Sequence, residues 1–330
     1  MKCLGVVGLG LIGGSILRRF ADSPSEYEPV GFDSDAETSH IVRSEGFTVA
    51  RSSAALARRA ELLVVAVPPR ETARVVLEVL RANPLALVTD VASVKAPVLD
   101  DVRKHAPDAV TRFLPAHPLA GAETPGWRRA RSDLLDGAIW AVCPPSGDAG
   151  ADLLCRWSGV FDAFDARIVV CDPLEHDLAV ARTSHAPHIA AEIIAGTLDR
   201  APAKLAAALS GGAFRDMTRI ARSDHELWSQ IFDLNRDAVV AVIDEWLAEL
   251  HGLRSAVEKG QEPALTKVWT QGKAMVELVE ELRWQAPAWE DRVFQWPAWD
   301  ALCALGREGR AIRRVSCAVN RISAQVSVSP

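Results

Sequence analysis

Hydrophobic residues in the first half of the chain occur in short runs separated by amphipathic stretches. The strand candidates cover residues 3–7, 29–32, 61–67, 85–90, 111–116, 138–142 and 167–171. The run at 61–67 is apolar almost throughout, which suits a strand buried on both faces. Helix-like segments, such as 35–45 and 70–81, lie between the runs. Strands that alternate with helices predict an α/β fold with a mostly parallel, doubly wound sheet.

The pattern changes after Pro173, where longer segments have helical spacing. We predict helices over 174–199, 224–253 and 262–284, with no clear strand between them. The predicted organisation is a sheet domain (1–172), an all-helical domain (173–284) and a tail of uncertain structure (285–330). Apolar and polar residues alternate over 315–329, near the end of the tail, and this pattern suggests a small hairpin. Long helices with little sheet of their own favour pairing with another chain, and so a dimer.

The first 20 residues, MKCLGVVGLGLIGGSILRRF, allow two interpretations: a secretory signal, or a strand, turn and helix. The apolar run stops at Arg18 and Arg19 without a small-residue cleavage site, and it is too short to span a bilayer. Gly8, Gly10 and Gly13 fit the G-x-G-x-x-G pattern between a strand and a helix. In a Rossmann-type turn these glycines allow a tight turn, close approach to a pyrophosphate, and helix–strand packing. We therefore predict a dinucleotide site.

Asp33 ends the second predicted strand, 20 residues after Gly13. An acidic side chain at this point accepts hydrogen bonds from the adenosine ribose hydroxyls, and it repels a 2′-phosphate. The spacing therefore favours NAD over NADP. The alternative is a solvated aspartate in a turn.

The composition narrows the class of protein. The chain has 330 residues, 49% of them hydrophobic and 24% charged, with a net charge of −6. This acidic balance argues against a nucleic-acid partner, and no later apolar run is long enough for a membrane-spanning helix. The six cysteines are scattered, which predicts reduced thiols in a cytoplasmic protein and no metal site.

Two motifs that follow predicted strands carry polar side chains. Ser93 lies in DVASVK at the carboxyl end of a strand, where open α/β sheets bind their ligands. Its alternative role is to cap the next helix. His117 lies in HPLAG, held on a stiff turn by the proline that follows. An ordinary histidine pKa of about 6.5 suits a base that takes the proton of a substrate hydroxyl while hydride leaves the carbon that carries this hydroxyl. The alternative is a structural histidine.

Two further motifs lie in the predicted helical domain. His185 and His188, in SHAPH, share one helix face, but the nearby carboxylates offer no convincing third metal ligand. We therefore expect them to contact substrate or cofactor. Arg215 and Arg219, in GGAFRDMTRIA, would direct two guanidinium groups toward one place, and such groups bind carboxylates bidentately. The alternative is a solvated basic face.

The chain contains, in this order, GLGLIGGS, Asp33, VASVK, HPLAGAETPGW, EHD, SHAPHIAA and GGAFRDMTRIARSDHELW. The order and spacing of these segments resemble those of the prephenate/arogenate dehydrogenases of tyrosine biosynthesis, over roughly residues 1–250. The resemblance implies a Rossmann domain, a helical dimerisation domain and a homodimer. It also implies a small-molecule substrate and NAD-dependent oxidative decarboxylation, of prephenate to 4-hydroxyphenylpyruvate or of arogenate to tyrosine.

The resemblance further implies roles for individual residues. His117 would accept the proton of the ring hydroxyl, Ser93 would orient that hydroxyl, and Arg219 would bind a substrate carboxylate. The other substrate-binding residues would be His188, Arg215 and Trp228. The cofactor-binding residues would be Gly8, Gly10, Leu11, Ile12, Gly13, Asp33, Val67, Ser93 and His185.

The motifs depart from the family pattern at Ala116, Ala122, Pro125 and Arg215. These changes leave the proposed catalytic groups intact, but they leave the substrate open between prephenate, arogenate and a 4-amino analogue.

Two other functions fit the sequence less well. A β-hydroxyacid dehydrogenase would want a lysine base at the start of the helical domain, and residues 179–195 contain none. A non-catalytic NAD-binding protein would not need Ser93, His117 and Arg219 together.

Overall fold

The structure is a computed structural model of the whole chain. It describes residues 2–22, 26–121, 126–200, 202–284, 287–296, 298–319 and 321–328. The chain forms two compact units: Met1–His176 together with Ala286–Pro330, and Asp177–Gln285. Within the described residues, no helix combines the length and apolar character that crossing a membrane requires.

The strands, in chain order, are β1 (Lys2–Val7), β2 (Tyr27–Phe32), β3 (Leu62–Val65), β4 (Leu87–Asp90), β5 (Phe113–Leu114), β6 (Ala116–Pro118), β7 (Ile139–Val142), β8 (Arg167–Val170), β9 (Ala288–Gln295), β10 (Ile312–Ala318) and β11 (Arg321–Val328). The helices are α1 (Leu11–Asp22), α2 (Ala36–Ser44), α3 (Ser53–Ala57), α4 (Pro69–Ala82), α5 (Ala96–His105), α6 (Asp148–Asp162), α7 (Pro173–Val180), α8 (Ala186–Gly196), α9 (Ala203–Ala208), α10 (Gly212–Thr218), α11 (His225–Leu234), α12 (Arg236–Glu258), α13 (Glu262–Val279) and α14 (Trp299–Arg307).

The first sheet has the strand order β2-β1-β3-β4-β5, and its neighbouring strands run parallel. Residues of β1, β3 and β4 are buried apart from Lys2, as expected for strands covered on both faces. The predicted Rossmann-type α/β architecture is confirmed. Its strands place the turns after β1, β2, β3 and β4 at one edge, where such sheets bind ligands.

The structure differs from the prediction after β5. The chain leaves the parallel sheet at Pro115, which has no N–H to continue a strand ladder. The strands that follow build a second sheet with the order β6-β7-β8-β10-β11-β9. In it, β6 is antiparallel to β7, and β7 is parallel to β8. The doubly wound sheet is therefore shorter than the pattern of apolar runs suggested.

The C-terminal tail belongs to this second sheet. Ile312 of β10 pairs with Ile168 of β8, and β10 and β11 are antiparallel neighbours, as predicted for the hairpin. β9 extends the pair along its other edge. The indole of Trp289 lies 4.2 Å from the guanidinium carbon of Arg313. The tail therefore completes a sheet of the first unit.

The second unit is helical, and its helices are interrupted where the sequence suggested continuous ones. Between α7 and α8 the backbone widens into a π-helical turn, Ala181–His185. Pro187 lies two residues after this turn, and its ring cannot accommodate the carbonyl four residues earlier in a regular α-helix. The predicted helix over 224–253 is two helices, α11 and α12, which meet at Asn235.

Cys155 of α6 and Cys317 of β10 form a disulfide across 162 residues of sequence, with Cα atoms 6.0 Å apart. The prediction that all six cysteines are reduced thiols is therefore wrong for this pair. No local pattern signals the bond, because the partners meet only once β10 packs against α6. Burial raises the pKa of Cys303 to about 12, so that side chain stays a neutral thiol.

Candidate active site

The three glycines of the first turn have three different environments. Gly8 has φ +90°, and a Cβ there would lie 2.3 Å from the Ala66 carbonyl oxygen. A Cβ on Gly13 would lie 2.0 Å from the Gly8 oxygen, whereas one on Gly10 would meet nothing within 4 Å. Gly8 and Gly13 are therefore required by the fold. Gly10 leaves open space at the N-terminus of α1, which fits a pyrophosphate.

The Asp33 carboxylate is fixed beside this turn. Its Oδ2 accepts a hydrogen bond from the Leu9 N–H at 2.7 Å, and its Oδ1 accepts one from the Asp35 N–H at 2.8 Å. Gly8 N–H also donates to the Phe32 carbonyl at 2.8 Å, which ties the end of β1 to the end of β2. The carboxylate is thus oriented at the sheet edge while each oxygen keeps lone-pair capacity for a ribose hydroxyl.

The remaining nucleotide-site candidates of the first sheet surround the same turn. Leu11 opens α1, and Ile12 packs partly against the hydrophobic core. Val67 is half-buried just after β3. Its backbone nitrogen would lie 3.1 Å from a Cβ on Gly8. The glycine turn, Asp33 and Val67 therefore meet at one edge, and their arrangement fits a dinucleotide.

A buried ion pair lies beside the next turn. The Lys95 ammonium bonds to the Asp90 carboxylate, and both side chains are 0% exposed. Asp90 also accepts hydrogen bonds from the N–H groups of Ala92 and Ala116, and Lys95 donates to the Ala116 carbonyl at 2.7 Å. Burial raises the pKa of Asp90, and the Lys95 charge opposes that rise. The pair joins the turn after β4 to the start of β6.

Ser93 and His117 lie on the two segments that this ion pair connects. Ser93 is partly exposed between β4 and α5. The N-cap of α5 is Lys95, so Ser93 is not the capping residue considered as its alternative role. His117 was expected on a turn past a strand end. It lies instead within β6, opposite Ala141 of β7, because Pro115 divides the predicted strand.

The imidazole of His117 contacts a second histidine that the sequence analysis left without a role. His117 Nδ1 lies 3.0 Å from Nε2 of His176, and the two rings meet edge to face with centroids 5.2 Å apart. His176 is 3% exposed and lies in α7. The EHD motif contains this residue, but only the folded structure shows that it reaches His117.

The helical unit brings together His185, His188 and Trp228. The His188 ring stacks on Trp228 at 3.5 Å, and His188 Nδ1 donates to the Ser184 carbonyl at 2.8 Å. His185 is buried, with its ring 6.0 Å from that of Trp228. Its Nδ1 lies 3.0 Å from Nδ2 of Asn235, the residue between α11 and α12. Asn235 also donates to the Asp177 carbonyl, and sequence reasoning missed it.

The two arginines have different surroundings. Arg219 acts electrostatically on His188: burial lowers the pKa of His188, and the Arg219 charge lowers it further. Arg215 is 83% exposed and pairs with Asp216 at 3.6 Å. α10 ends at Thr218 and a 3-10 turn begins at Arg219, so one regular helix does not carry both side chains. The structure brings Arg219 to His188 and leaves Arg215 at the surface.

A cavity of about 660 Å³ opens beside the stacked rings of His188 and Trp228 within the helical unit. His188 and Trp228 line it together with Ile220 and Phe232. Its mixture of aromatic and titratable side chains suits a small polar ring compound. Ala122 and Pro125, where the motifs depart from the family pattern, lie outside the described residues.

The fold and the glycine turn define the class of protein: a Rossmann-type dinucleotide-binding protein. Residues 27–170 match the family model described as the prephenate dehydrogenase nucleotide-binding domain, and residues 172–271 match the model described as its dimerization domain. The chain belongs to the prephenate dehydrogenase family.

Individual relatives agree with this assignment. The prephenate dehydrogenase of Bacillus subtilis is 28% identical over 261 residues, covering 77% of this chain and 70% of the relative. The cyclohexadienyl dehydrogenase of Zymomonas mobilis is 29% identical over 266 residues, 78% of this chain and 88% of the relative.

Solved structures share the fold. A protein from Corynebacterium glutamicum, 27% identical, superposes with a TM-score of 0.79 over 93% of this chain and 96% of its own. Prephenate dehydrogenase from A. aeolicus, solved with hydroxyphenyl propionate and NAD+, has 24% identity and a TM-score of 0.75, covering 84% and 98%.

The glycine turn predicts a contrast between two alanine substitutions. Gly10→Ala places its Cβ in open space, so the melting temperature should stay unchanged. NAD affinity should nevertheless fall about tenfold or more, a loss of roughly 1.4 kcal/mol, because the methyl group occupies the space for the pyrophosphate. Gly13→Ala should reduce stability by about 1–3 kcal/mol. Calorimetric NAD titration and thermal unfolding of both variants check this, and unchanged NAD affinity in Gly10→Ala would contradict the assigned role.

The buried ion pair predicts a large stability effect. Lys95→Met leaves the Asp90 carboxylate buried without its cation, which should reduce the free energy of unfolding by about 3–5 kcal/mol. The double variant with Asp90→Asn should recover part of that loss. Urea unfolding measures the effect, with Lys104→Met on the exposed face of α5 as the matched control. A Lys95→Met protein within about 1 kcal/mol of wild type would show that the pair is unimportant for stability.

Proposed function

We propose that the protein catalyses the NAD-dependent oxidative decarboxylation of prephenate to 4-hydroxyphenylpyruvate in tyrosine biosynthesis. The observation that carries the proposal is the placement of His117 in β6. There it contacts His176 at 3.0 Å and shares an ion-pair anchor with the Ser93 turn. Relatives named prephenate dehydrogenase support the same reaction.

The chemistry requires a base, a hydride acceptor and cationic anchors. His117 takes the proton of the ring hydroxyl through its ring nitrogen. NAD, when bound, supplies the acceptor for the hydride of the ring carbon that carries this hydroxyl. The electron pair of the ring–carboxylate bond then completes the aromatic ring as CO2 leaves. Ser93 orients the hydroxyl toward His117, and Gly8, Gly10, Gly13 and Asp33 hold the nucleotide.

The helical unit contributes the groups that recognise the rest of the substrate. Arg219 binds a carboxylate, and His188 and Trp228 line the cavity that receives the ring. Burial lowers the pKa of His188, which favours a neutral imidazole that donates or accepts hydrogen bonds without a full charge. His185 is buried in this unit, with its ring 6.0 Å from that of Trp228, and its role in binding the cofactor stays a prediction. Arg215, which is exposed, adds positive charge to the surface of the helical unit.

We propose that the active form is a homodimer. The match to the dimerization-domain model covers 172–271, and that segment exposes large apolar side chains, among them Leu247, Leu250 and Trp269. Apolar side chains of this size are typical of surfaces that bind another chain. Sedimentation of the purified protein as a monomer would contradict the proposal.

The test of the proposed function is NADH or NADPH formation with prephenate and with arogenate, each with NAD and NADP. We expect prephenate with NAD to be the best combination, because the Asp33 carboxylate repels a 2′-phosphate. Preference for arogenate would keep the chemistry and change the substrate; the relative named cyclohexadienyl dehydrogenase makes this the second candidate. Absence of turnover with both substrates would overturn the proposal.

The role of His117 predicts a separation of chemistry from cofactor binding. His117→Asn removes the base, and turnover should fall by about 10²–10⁴-fold, while NAD affinity should stay within a factor of about two. Steady-state kinetics and NAD titration check this. Wild-type turnover in His117→Asn would exclude the residue as the base.

Arg219 predicts a binding effect. Arg219→Gln removes a charge-assisted contact with a carboxylate, worth about 1.5–3 kcal/mol, so KM for the substrate should rise about 10- to 100-fold with a smaller change in kcat. The neighbouring exposed Arg222→Gln is the matched control and should leave KM unchanged. Equal effects of the two variants would show that only the general positive charge matters.

A further inference from the structure

His176 is placed to control the chemical state of His117. Its Nε2 lies 3.0 Å from Nδ1 of His117, and the planes of the two rings differ by 77°. In this edge-to-face arrangement, a nitrogen of one ring faces a nitrogen of the other ring. His176 is buried, so bulk water does not compete freely for this contact.

A contact between two neutral imidazoles at this distance allows two arrangements of the protons. One nitrogen must carry hydrogen and the other must carry a lone pair. If His117 donates from Nδ1, its Nε2 keeps a lone pair and accepts a substrate proton. If His176 donates instead, Nε2 of His117 carries hydrogen and cannot act as a base. The direction of this hydrogen bond therefore decides whether His117 functions.

We propose that His176 is a positioning residue that accepts a hydrogen bond from Nδ1 of His117, so that Nε2 of His117 carries the lone pair that takes the substrate's hydroxyl proton. The identity of that proton rests on the proposed function, whereas the tautomer of His117 does not. A partner on the second ring nitrogen selects the tautomer and orientation of a histidine in the same way in other sites.

The backbone around His176 is held firmly enough for this role. Its N–H donates to the Asp172 carbonyl at 2.8 Å, and the Asp172 carboxylate accepts from the Leu174 N–H at 2.8 Å. Arg307 of α14 bonds to Glu175 at 2.8 Å on the same first turn of α7. The start of α7 is thus capped by the Asp172 carboxylate, and the Glu175–Arg307 contact connects it to the C-terminal tail.

The second sheet brings the two histidines together. β6, which contains His117, is the neighbour of β7, and β7 is the neighbour of β8. β8 leads directly into α7, which contains His176. Since the C-terminal strands extend this same sheet, the tail supports the alignment of the pair. This gives the tail a part in the site without a direct contact with the substrate.

Three variants separate positioning from simple packing. His176→Phe keeps a ring of similar size but removes the acceptor. His176→Gln places an amide oxygen near the former position of Nε2 and should restore the hydrogen bond. His105→Phe, at an exposed histidine in the last turn of α5, is the matched control for a histidine-to-phenylalanine change.

The first measurement is the ring-nitrogen NMR spectrum of the 15N-histidine-labelled protein without substrate. The His117 signals are assigned by their loss in His117→Asn. In the wild type and in His176→Gln we expect hydrogen on Nδ1 of His117. In His176→Phe we expect the Nε2–H form to dominate. A wild-type His117 with hydrogen on Nε2 would overturn the inference, and this result does not depend on any activity.

The second measurement is kinetic. In His176→Phe, kcat should fall about 10²-fold, while substrate KM and NAD affinity stay within a factor of about three. His176→Gln should recover kcat to within about tenfold of wild type, and His105→Phe should leave it unchanged. Wild-type kcat in a folded His176→Phe protein would overturn the inference while leaving the proposed function intact.

The remaining outcomes are also decisive. If His176→Phe does not fold, the wild-type spectrum and the His176→Gln kinetics decide the question. If the wild-type protein acts on neither prephenate nor arogenate, the proposed function fails, and the tautomer of His117 still confirms or overturns the role of His176.

Discussion

The geometry of the proposed catalytic groups depends on the buried ion pair between Asp90 and Lys95. Two charges removed from water are stable only when they are paired and their other polar atoms are satisfied. Here those further bonds go to the backbone of Ala92 and to both the N–H and the carbonyl of Ala116. The residue after Ala116 is His117, and Ser93 lies between the two charged residues. One desolvated contact therefore sets the relative position of both side chains.

The nucleotide side of the site was predictable because its requirements are local. A tight turn, a close helix–strand contact and an acidic residue after β2 each impose a residue type at a fixed spacing. The structure shows the reasons directly: Gly8 has a positive φ, a Cβ on Gly13 would meet the Gly8 oxygen, and Asp33 accepts the Leu9 N–H. The roles carried over for Ser93, His117 and Arg219 remain predictions, because they concern a substrate.

The parts that the sequence did not reveal depend on long-range contacts. The apolar run at 111–116 looks like one strand, but Pro115 divides it between two sheets. The tail has ordinary strand patterning, and only its pairing with β8 shows which sheet it joins. Cys155 and Cys317, His117 and His176, and Asn235 and Asp177 are far apart in sequence and meet only through tertiary packing. Local sequence patterns do not show which distant residues will become such partners.

An imidazole rather than a carboxylate as the partner of His117 is consistent with the charge of the proposed substrate. A carboxylate in the place of His176 would also orient the imidazole, but it would bring a full negative charge toward a dicarboxylate. Two like charges about 5 Å apart repel by about 3 kcal/mol at an effective dielectric constant of about 20, and that energy would oppose substrate binding. An imidazole accepts the same hydrogen bond as a dipole and adds no such repulsion. In this part of the first unit, charge is thus concentrated where it stabilises the fold, at Asp90 and Lys95.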